Sequence, residues 1–313
     1  MKLVPIYLTY NNESIQDGVG AQVLRIVAIK AISEHYRIGY VHSGISKLTV
    51  TQLDPAQTTL EIENYISYLN QVFTLESAQE EFDLRYDLYN LSRRDLVRFS
   101  LKAFFSRKRI LLRVTFPFYV TNKNPKIFMK TKEFLPNIAI KETTGKLKVV
   151  IHFRVGADSK HIDPGKAEAR FIAIDYFEKV VFKIVQEFQG RDIEVCLLTD
   201  APSKSFNYSP PVEQLKEWEK TGYQVRNGMV KINALDLGES AISKLPGFRV
   251  VHGGDPIDAL REMSIADFLL MSRSTLSFLG ALFNQTGKII YPPRFGSEPL
   301  PNWISGEEYA SAI

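Results

Sequence analysis

The sequence predicts an α/β protein made of two doubly wound halves, each built on a parallel sheet. Three observations carry that expectation. Strand-like and helix-like segments alternate along the whole of the 313 residues. A strand, a glycine-bearing turn, a helix and a second strand fit between Leu3 and Ser43, and a second series of the same kind opens at Leu147. Such βαβ units give parallel strands joined by right-handed crossovers, and the chain is long enough for two domains of ordinary size.

The elements follow in order. Leu3–Tyr10 is the first strand, and NNESIQDGVG is a polar turn. In the next stretch Val23, Ile26, Val27, Lys30 and Ala31 are spaced as on a helix with one apolar face. RIGYVHS is a second short strand. From about Thr51 to Lys132 the chain reads as a helical, aromatic insert. Pro136–Lys146, with its TTGK turn, is the boundary, so that residues 1–140 form one domain and 141–313 the other. KVVIHFRV, a helix over Phe171–Phe188, and DIEVCLLTD open the second half. FRVVHGG, ADFLLMS and GKIIYPP are later strands, separated by helices at Asp255–Met263 and Ser274–Asn284. Two Rossmann-like halves facing one another would put a site in the cleft between them, near the carboxyl ends of the strands.

Composition narrows the classes. A net charge of +4 is far from the clustered excess of a dedicated nucleic-acid binder. The one cysteine, Cys196, excludes an intrachain disulfide. It sits in an apolar run and reads as a small core residue, with a reactive thiol as the alternative. The start of the chain reads as a strand rather than a targeting signal. No run reaches the roughly 18–20 apolar residues of a membrane span. The expectation is a cytoplasmic protein.

Four segments carry residue types suited to chemistry. Asp17-Gly18-Val19-Gly20-Ala21-Gln22 lies at a strand-to-helix turn, where glycines let backbone N–H groups approach a phosphate at a helix N-terminus. It is not the G-x-G-x-x-G dinucleotide fingerprint, and it could be no more than a tight turn. His152-Phe153-Arg154-Val155-Gly156-Ala157-Asp158 follows a strand directly. Arg154 could fork onto a diphosphate, and His152 is either a ligand or a core histidine holding the loop. Thr199-Asp200 ends another strand, where a capping aspartate would look the same. Ala266-Asp267 leads through a strand into Ser272, Ser274, Thr275, Ser277 and Phe278. Those hydroxyls can cap the following helix or hold a phosphate at its N-terminus.

Taken in order, these segments resemble the motif series of the GT-B fold fucosyltransferases, the group of α1,2-, core α1,6- and protein O-fucosyltransferases. Gly18, Gly20 and Gln22 are in register with that group's G-x-G-N-Q loop, and His152–Asp158 is similar to its H-x-R-x-G-x-D motif. Thr199-Asp200 matches its T-D strand end. Ala266-Asp267 through Ser277-Phe278 is similar to its last motif. The resemblance covers about 60 residues directly. Ala21 stands where the group has Asn, and Val155 where several members have a second arginine.

The resemblance implies a GT-B enzyme of two Rossmann-like domains that inverts at the anomeric carbon and needs no metal. It would move fucose from GDP-fucose to a hydroxyl of a glycan or glycoconjugate. Arg154 would contact the donor diphosphate. His152, Gly156, Asp158, Asp200, Asp267, Ser274, Thr275, Ser277 and Phe278 would shape the donor pocket, and Gly18, Gly20 and Gln22 would border it. Another GDP- or UDP-sugar (rhamnose, xylose, mannose) is the alternative donor, and a non-catalytic nucleotide-sugar or glycan-binding module is the alternative class.

The absence of any D-x-D string agrees with metal independence, leaving arginine and backbone N–H groups to meet charge on a leaving diphosphate. Asp17 is the first choice for a general base, or else a turn-capping aspartate, with Asp158, His161, Asp163 and Glu168 also in loops near the expected cleft. The basic stretch Arg93–Arg113 carries Leu96, Val97, Leu101, Phe104 and Phe105 at helical spacing. It reads as a solvated helix face over core rather than a nucleic-acid site, with peripheral contact to an anionic membrane as a further reading. Tyr65, Tyr68, Phe73, Phe82, Tyr86 and Tyr89 read as core aromatics.

Overall fold

A computed structural model describes residues 6–13, 17–48, 59–138, 145–154, 172–209, 225–227, 229–232, 235–293 and 298–311. The chain divides into two compact units. One comprises Met1–Val50, Ala56–Asn137 and Ser297–Pro301, the other Thr51–Pro55, Ile138–Gly296 and Asn302–Ile313.

The first unit is built on β1 (Ile6–Tyr10), β2 (Gly39–Tyr40), β3 (Leu84–Asn90) and β4 (Ile110–Phe116), in the order β2-β1-β4-β3. Every pairing in it is parallel. Helices α1 (Val19–Tyr36), α2 (Thr59–Val72) and α3 (Arg93–Ser106) connect the strands, and α4 (Phe118–Lys123) runs into a 3₁₀ segment, Pro125–Glu133.

Two expectations are corrected here. First, α1 does not have one apolar face: Gln22, Arg25, Lys30 and Ser33 are as buried as its Val and Ile residues. The cause is a second layer, because α4 and the 3₁₀ segment pack on α1 along with β1 and β2. Second, residues 51–132 are not a helical insert, since β4 lies there and is a central strand between β1 and β3. Its sequence, ILLRVTF, is a nearly unbroken buried run of strand length. The basic residues before it had made it look like a continuation of α3, which ends at Arg107 in the left-handed conformation (φ 56°).

The second unit contains β5 (Leu147–Phe153), β6 (Ile193–Thr199), β10 (Phe248–His252), β11 (Phe268–Leu270), β12 (Lys288–Tyr291) and β13 (Ile304–Ser305). Their order is β10-β6-β5-β11-β12-β13, all parallel. Counted along the chain within this sheet, the order is third, second, first, fourth, fifth, sixth, which is the doubly wound Rossmann arrangement. A small antiparallel sheet of β7 (Phe206–Tyr208), β8 (Val225–Arg226) and β9 (Met229–Ile232) is set beside it in sequence.

Both faces of the six-stranded sheet are covered, as parallel sheets require. Leu147, Val149, Ile151 and Phe153 pack with Phe177, Val180 and Ile184 of α5 (Ile174–Glu187) and with Tyr309 of α8 (Gly306–Ser311). The alternate residues Val150, Cys196, Leu198 and Leu269 are equally buried outside that cluster. There α6 (Pro256–Ser264) contacts β5 and packs on α7 (Thr275–Phe283). Gly247 marks the tight entry to β10: its φ is +76°, and a Cβ would meet the Ile193 carbonyl oxygen at 2.9 Å.

Candidate functional site

The strand order reverses between β5 and β11. From β5 the chain moves toward β6 and β10, and from β11 it moves toward β12 and β13. In doubly wound sheets, ligands bind in the crevice outside the carboxyl ends of the strands at such a reversal. Two of the sequence motifs end at this point. β5 delivers His152, Phe153 and Arg154, and the turn after β11 delivers Ser272, Arg273 and Ser274.

His152 Nδ1 and Ser272 Oγ lie 2.7 Å apart, a buried hydrogen bond across the reversal. Burial pushes the His152 imidazole down to about 4, against the upward pull of Asp200 and with a further downward push from Arg154. The ring is thus neutral near pH 7, and its Nδ1 either accepts from the Ser272 hydroxyl or donates to it according to tautomer. Arg154 follows on the same strand and remains about a third exposed. Its Nε is 3.8 Å from Asp200 Oδ2, a loose pair that leaves most of the guanidinium fork uncommitted to that partner. Asp200 is positioned by the end of β6, where Thr199 Oγ1 accepts from the Ala201 N–H (3.1 Å). The Thr199 carbonyl accepts from Gly253 after β10 (2.8 Å).

The hydroxyl-rich turn divides its labour. Ser272 holds His152. Ser274 is the N-cap of α7 and accepts from the Leu276 N–H. Ser277, fully buried, accepts from the Ser272 N–H at 3.0 Å and braces the turn from inside. Thr275, in the first turn, is the exposed member. Phe278 is core, edge-on to Trp303 at 5.1 Å. Sequence reasoning passed over Arg273 in favour of the hydroxyls. Its Nε and Nη2 both donate to the Pro293 carbonyl (3.0 and 2.7 Å), so the turn after β11 is tied to the end of β12. An arginine between a strand end and a helix cap was the signal that could have singled it out.

Asp267 is not brought to this crevice. It precedes β11 and so lies at the amino end of the sheet, where its carboxylate accepts from the Lys148 N–H (2.8 Å). Its own N–H and carbonyl bond Lys148 and Lys288. Its work there is to set the register of three strands. Gly156 and Asp158 lie outside the described residues, as do His161, Asp163 and Glu168.

The glycine-turn residues belong to the first unit. Asp17 accepts from the Gly18 N–H (2.8 Å) and from Arg25 Nη2 (2.5 Å), which is the turn-capping arrangement. Arg25 is buried, 4.7 Å over the Phe116 ring. Gln22 has no exposed surface: its amide donates to the carbonyls of Asp17 (2.9 Å) and Lys47, and its carbonyl accepts from Tyr10 (3.3 Å). It holds the turn and points at nothing outside. Gly18 has an ordinary φ of −70°, and a Cβ there would meet nothing within 4 Å. The fold itself does not demand glycine at that position. Gly20 is buried in the first turn of α1.

Elsewhere in the second unit, an open hollow of about 890 Å³ lies between Tyr176 and Lys179 of α5 and Glu307 and Ala310 of α8. None of the residues expected from sequence lines it. Among the described residues no group of three or more His, Cys, Asp or Glu side chains is placed to hold a metal ion.

Fold and site together define a doubly wound α/β protein of two parallel-sheet units, with Arg154, His152 and the hydroxyl-bearing Ser272–Ser274 turn meeting at the strand-order reversal of the second. No protein-family model matches the sequence, and no curated protein matches it. Among solved structures, the chain is similar to POFUT1 in complex with GDP, at 12% identity and a TM-score of 0.47 over 93% of this chain and 99% of that one. It is similar to TibC of enterotoxigenic E. coli, a dodecameric iron-containing heptosyltransferase, in complex with ADP-D-β-D-heptose, at 8% identity and a TM-score of 0.38 over 97% of this chain and 63% of that one. E. coli heptosyltransferase WaaC with ADP-2-deoxy-2-fluoro heptose is similar at 10% identity, with a TM-score of 0.34 over 96% and 92% of the two chains.

Proposed function

We propose that the chain is a glycosyltransferase of the GT-B type that uses a nucleotide sugar, with GDP-fucose as the donor and a glycan or glycoconjugate hydroxyl as the acceptor. The observation that carries this reading is the meeting of Arg154 and the Ser272–Ser274 turn at the β5/β11 reversal, joined through His152. A diphosphate bound there would receive the forked donors of Arg154 and the N-terminal amides of α7.

In this reading the acceptor oxygen attacks C1 of the sugar from the face opposite the diphosphate. The C1–O bond to the diphosphate breaks through an oxocarbenium-like state, the configuration inverts and the acceptor proton is released. Negative charge grows on the departing diphosphate, and Arg154 meets it. A preorganised donor of this kind supplies about 3–4 kcal/mol of transition-state stabilisation. No divalent cation is assigned a step. Asp200, loosely paired to Arg154, orients the guanidinium, and the neutral His152 holds the floor of the crevice. Asp17, whose carboxylate is engaged by Arg25 and the Gly18 N–H, is assigned to ordering the glycine turn. Asp267 is left out of the donor pocket.

Thermal-shift titration with GDP, UDP, GDP-fucose, GDP-mannose and UDP-xylose tests the reading. A ligand at 100 times its Kd stabilises the folded state by about 2.7 kcal/mol, and GDP and GDP-fucose are expected to do so. A response to UDP-xylose alone would move the donor, and no response to any nucleotide would end the assignment. Sugar release from GDP-fucose, followed with and without EDTA, is expected to be unchanged by the chelator.

A further inference from the structure

Helix α3 exposes a second apolar stripe that none of the described residues covers. Its inner stripe, Leu96, Phe99 and Ala103, is buried on the first unit. The helix is well formed: Ser92 and Asp95 make a reciprocal capping box, and Arg107 closes the other end in the left-handed conformation. Val97, Leu101 and Phe105, four residues apart, are nevertheless 60%, 52% and 79% exposed. They form one line over about 12 Å of helix.

The charges around that line are of one sign. Arg93 and Arg94 continue it into the first turn, Arg98 and Lys102 run along one edge, and Arg107 and Lys108 follow the end of the helix. All six are exposed. Arg93, Arg94, Arg98, Arg107 and Lys108 make no ion pair among the described residues. The helix's one carboxylate, Asp95, accepts from the Ser92 N–H and hydroxyl. The neighbouring basic residues Arg109 and Arg113 differ, being paired with Glu80 and Glu13.

We propose that this face of α3 docks on an anionic lipid surface, its leucine, valine and phenylalanine side chains entering the headgroup–acyl boundary while the flanking cations pair with lipid phosphates and carboxylates. Charge complementarity selects this occupant. A second copy of the chain in a two-fold pair would set these cations against their own copies, with no free acid on the face to offset them. A nucleic-acid backbone would be met by the cations and would leave the central apolar line facing phosphates. This inference is independent of the catalytic reading.

Co-sedimentation of the full chain with vesicles tests it. Binding is expected to equimolar phosphatidylcholine and phosphatidylserine, to be absent on phosphatidylcholine alone, and to weaken as sodium chloride rises. Arg94→Gln/Arg98→Gln is expected to weaken binding about twenty-fold or more, roughly five-fold per cation. Leu101→Ser/Phe105→Ser is expected to weaken it by about tenfold or more. Circular dichroism melts check that both variants are folded; should either unfold, the lipid and salt dependence of the unaltered chain decides alone. Failure of that chain to bind the anionic vesicles overturns the proposal. So does binding by the folded variants equal to its own, displacement from vesicles by duplex DNA, or a dimer in sedimentation equilibrium that both variants dissolve.

Discussion

His152 and Ser272 are 120 residues apart in sequence and 2.7 Å apart in space, joined where the strand order of the second unit reverses. The bond ties the carboxyl ends of β5 and β11, the two neighbouring strands at which the order reverses. Ser272→Ala would leave a buried imidazole nitrogen without its partner. The expected loss is about 1–3 kcal/mol of stability, read as a lower denaturant midpoint with an unchanged m-value. An unaltered midpoint would mean that the bond does not form in solution.

The same imidazole makes stability depend on pH. Burial lowers the folded-state value to about 4, whereas the unfolded chain titrates near 6.5. Between those values the unfolded state holds the extra proton, so stability rises with pH. The contribution is complete above about 6.5 and is lost progressively as pH falls toward 4, by on the order of 3 kcal/mol. Denaturation midpoints followed across this window should show the slope, and His152→Gln should flatten it.

Arg154→Ala is expected to reduce donor turnover by about 10²–10³-fold, with little change in melting temperature. The Arg154–Asp200 pair is long and both side chains are partly exposed, and such pairs contribute about 0–1 kcal/mol. Arg154→Lys should not restore activity, because a point charge does not reproduce the guanidinium fork. Steady-state kinetics with GDP-fucose would separate a kcat loss from a KM change.

The Asp17–Arg25 pair predicts an asymmetry between its two removals. Asp17→Ala leaves a buried guanidinium with only Tyr10 as a hydrogen-bond partner among the described residues, its Nε having none. The cost should be about 1–3 kcal/mol, reduced from the fully buried case because Asp17 is partly exposed. Arg25→Met removes the buried charge as well and should destabilise less. Asp17→Asn keeps an acceptor for the Gly18 N–H; turnover close to that of the unaltered chain is expected, and its abolition would return Asp17 to the role of general base.

Cys196 lies in the core of β6, and burial pushes its thiol up to about 12. It should resist thiol reagents at neutral pH in the folded protein and react at once in denaturant. Rapid labelling of the native chain would show that β6 opens.

Much of the second unit was legible in the sequence, because its strands are short, continuous apolar runs and its helices α5 and α6 are amphipathic at the ordinary period. KVVIHFRV, DIEVCLLTD and FRVVHGG became β5, β6 and β10 with their ends within a residue or two. The strand-end motifs at His152–Arg154, Thr199–Asp200 and Ser272–Ser274 were likewise visible as breaks in those runs. The first unit was less legible, since β4 follows a basic helix and α1 hides polar residues beneath a second layer.

The sequence by itself thus determined which segments of the second unit are strands and helices, and which polar residues stand at their junctions, because those properties depend on neighbours along the chain. Only the tertiary structure decided the strand order, and with it the meeting of His152 and Ser272. It also decided that Asp267 bonds across to Lys148 of β5, that Ser277 braces the turn from within, and that Val97, Leu101 and Phe105 face outward. Those outcomes depend on which distant segment pairs with which. A local pattern cannot carry that information, because the same hydroxyl or apolar residue is satisfied equally well by a cap, a core or a ligand until its partner is in place.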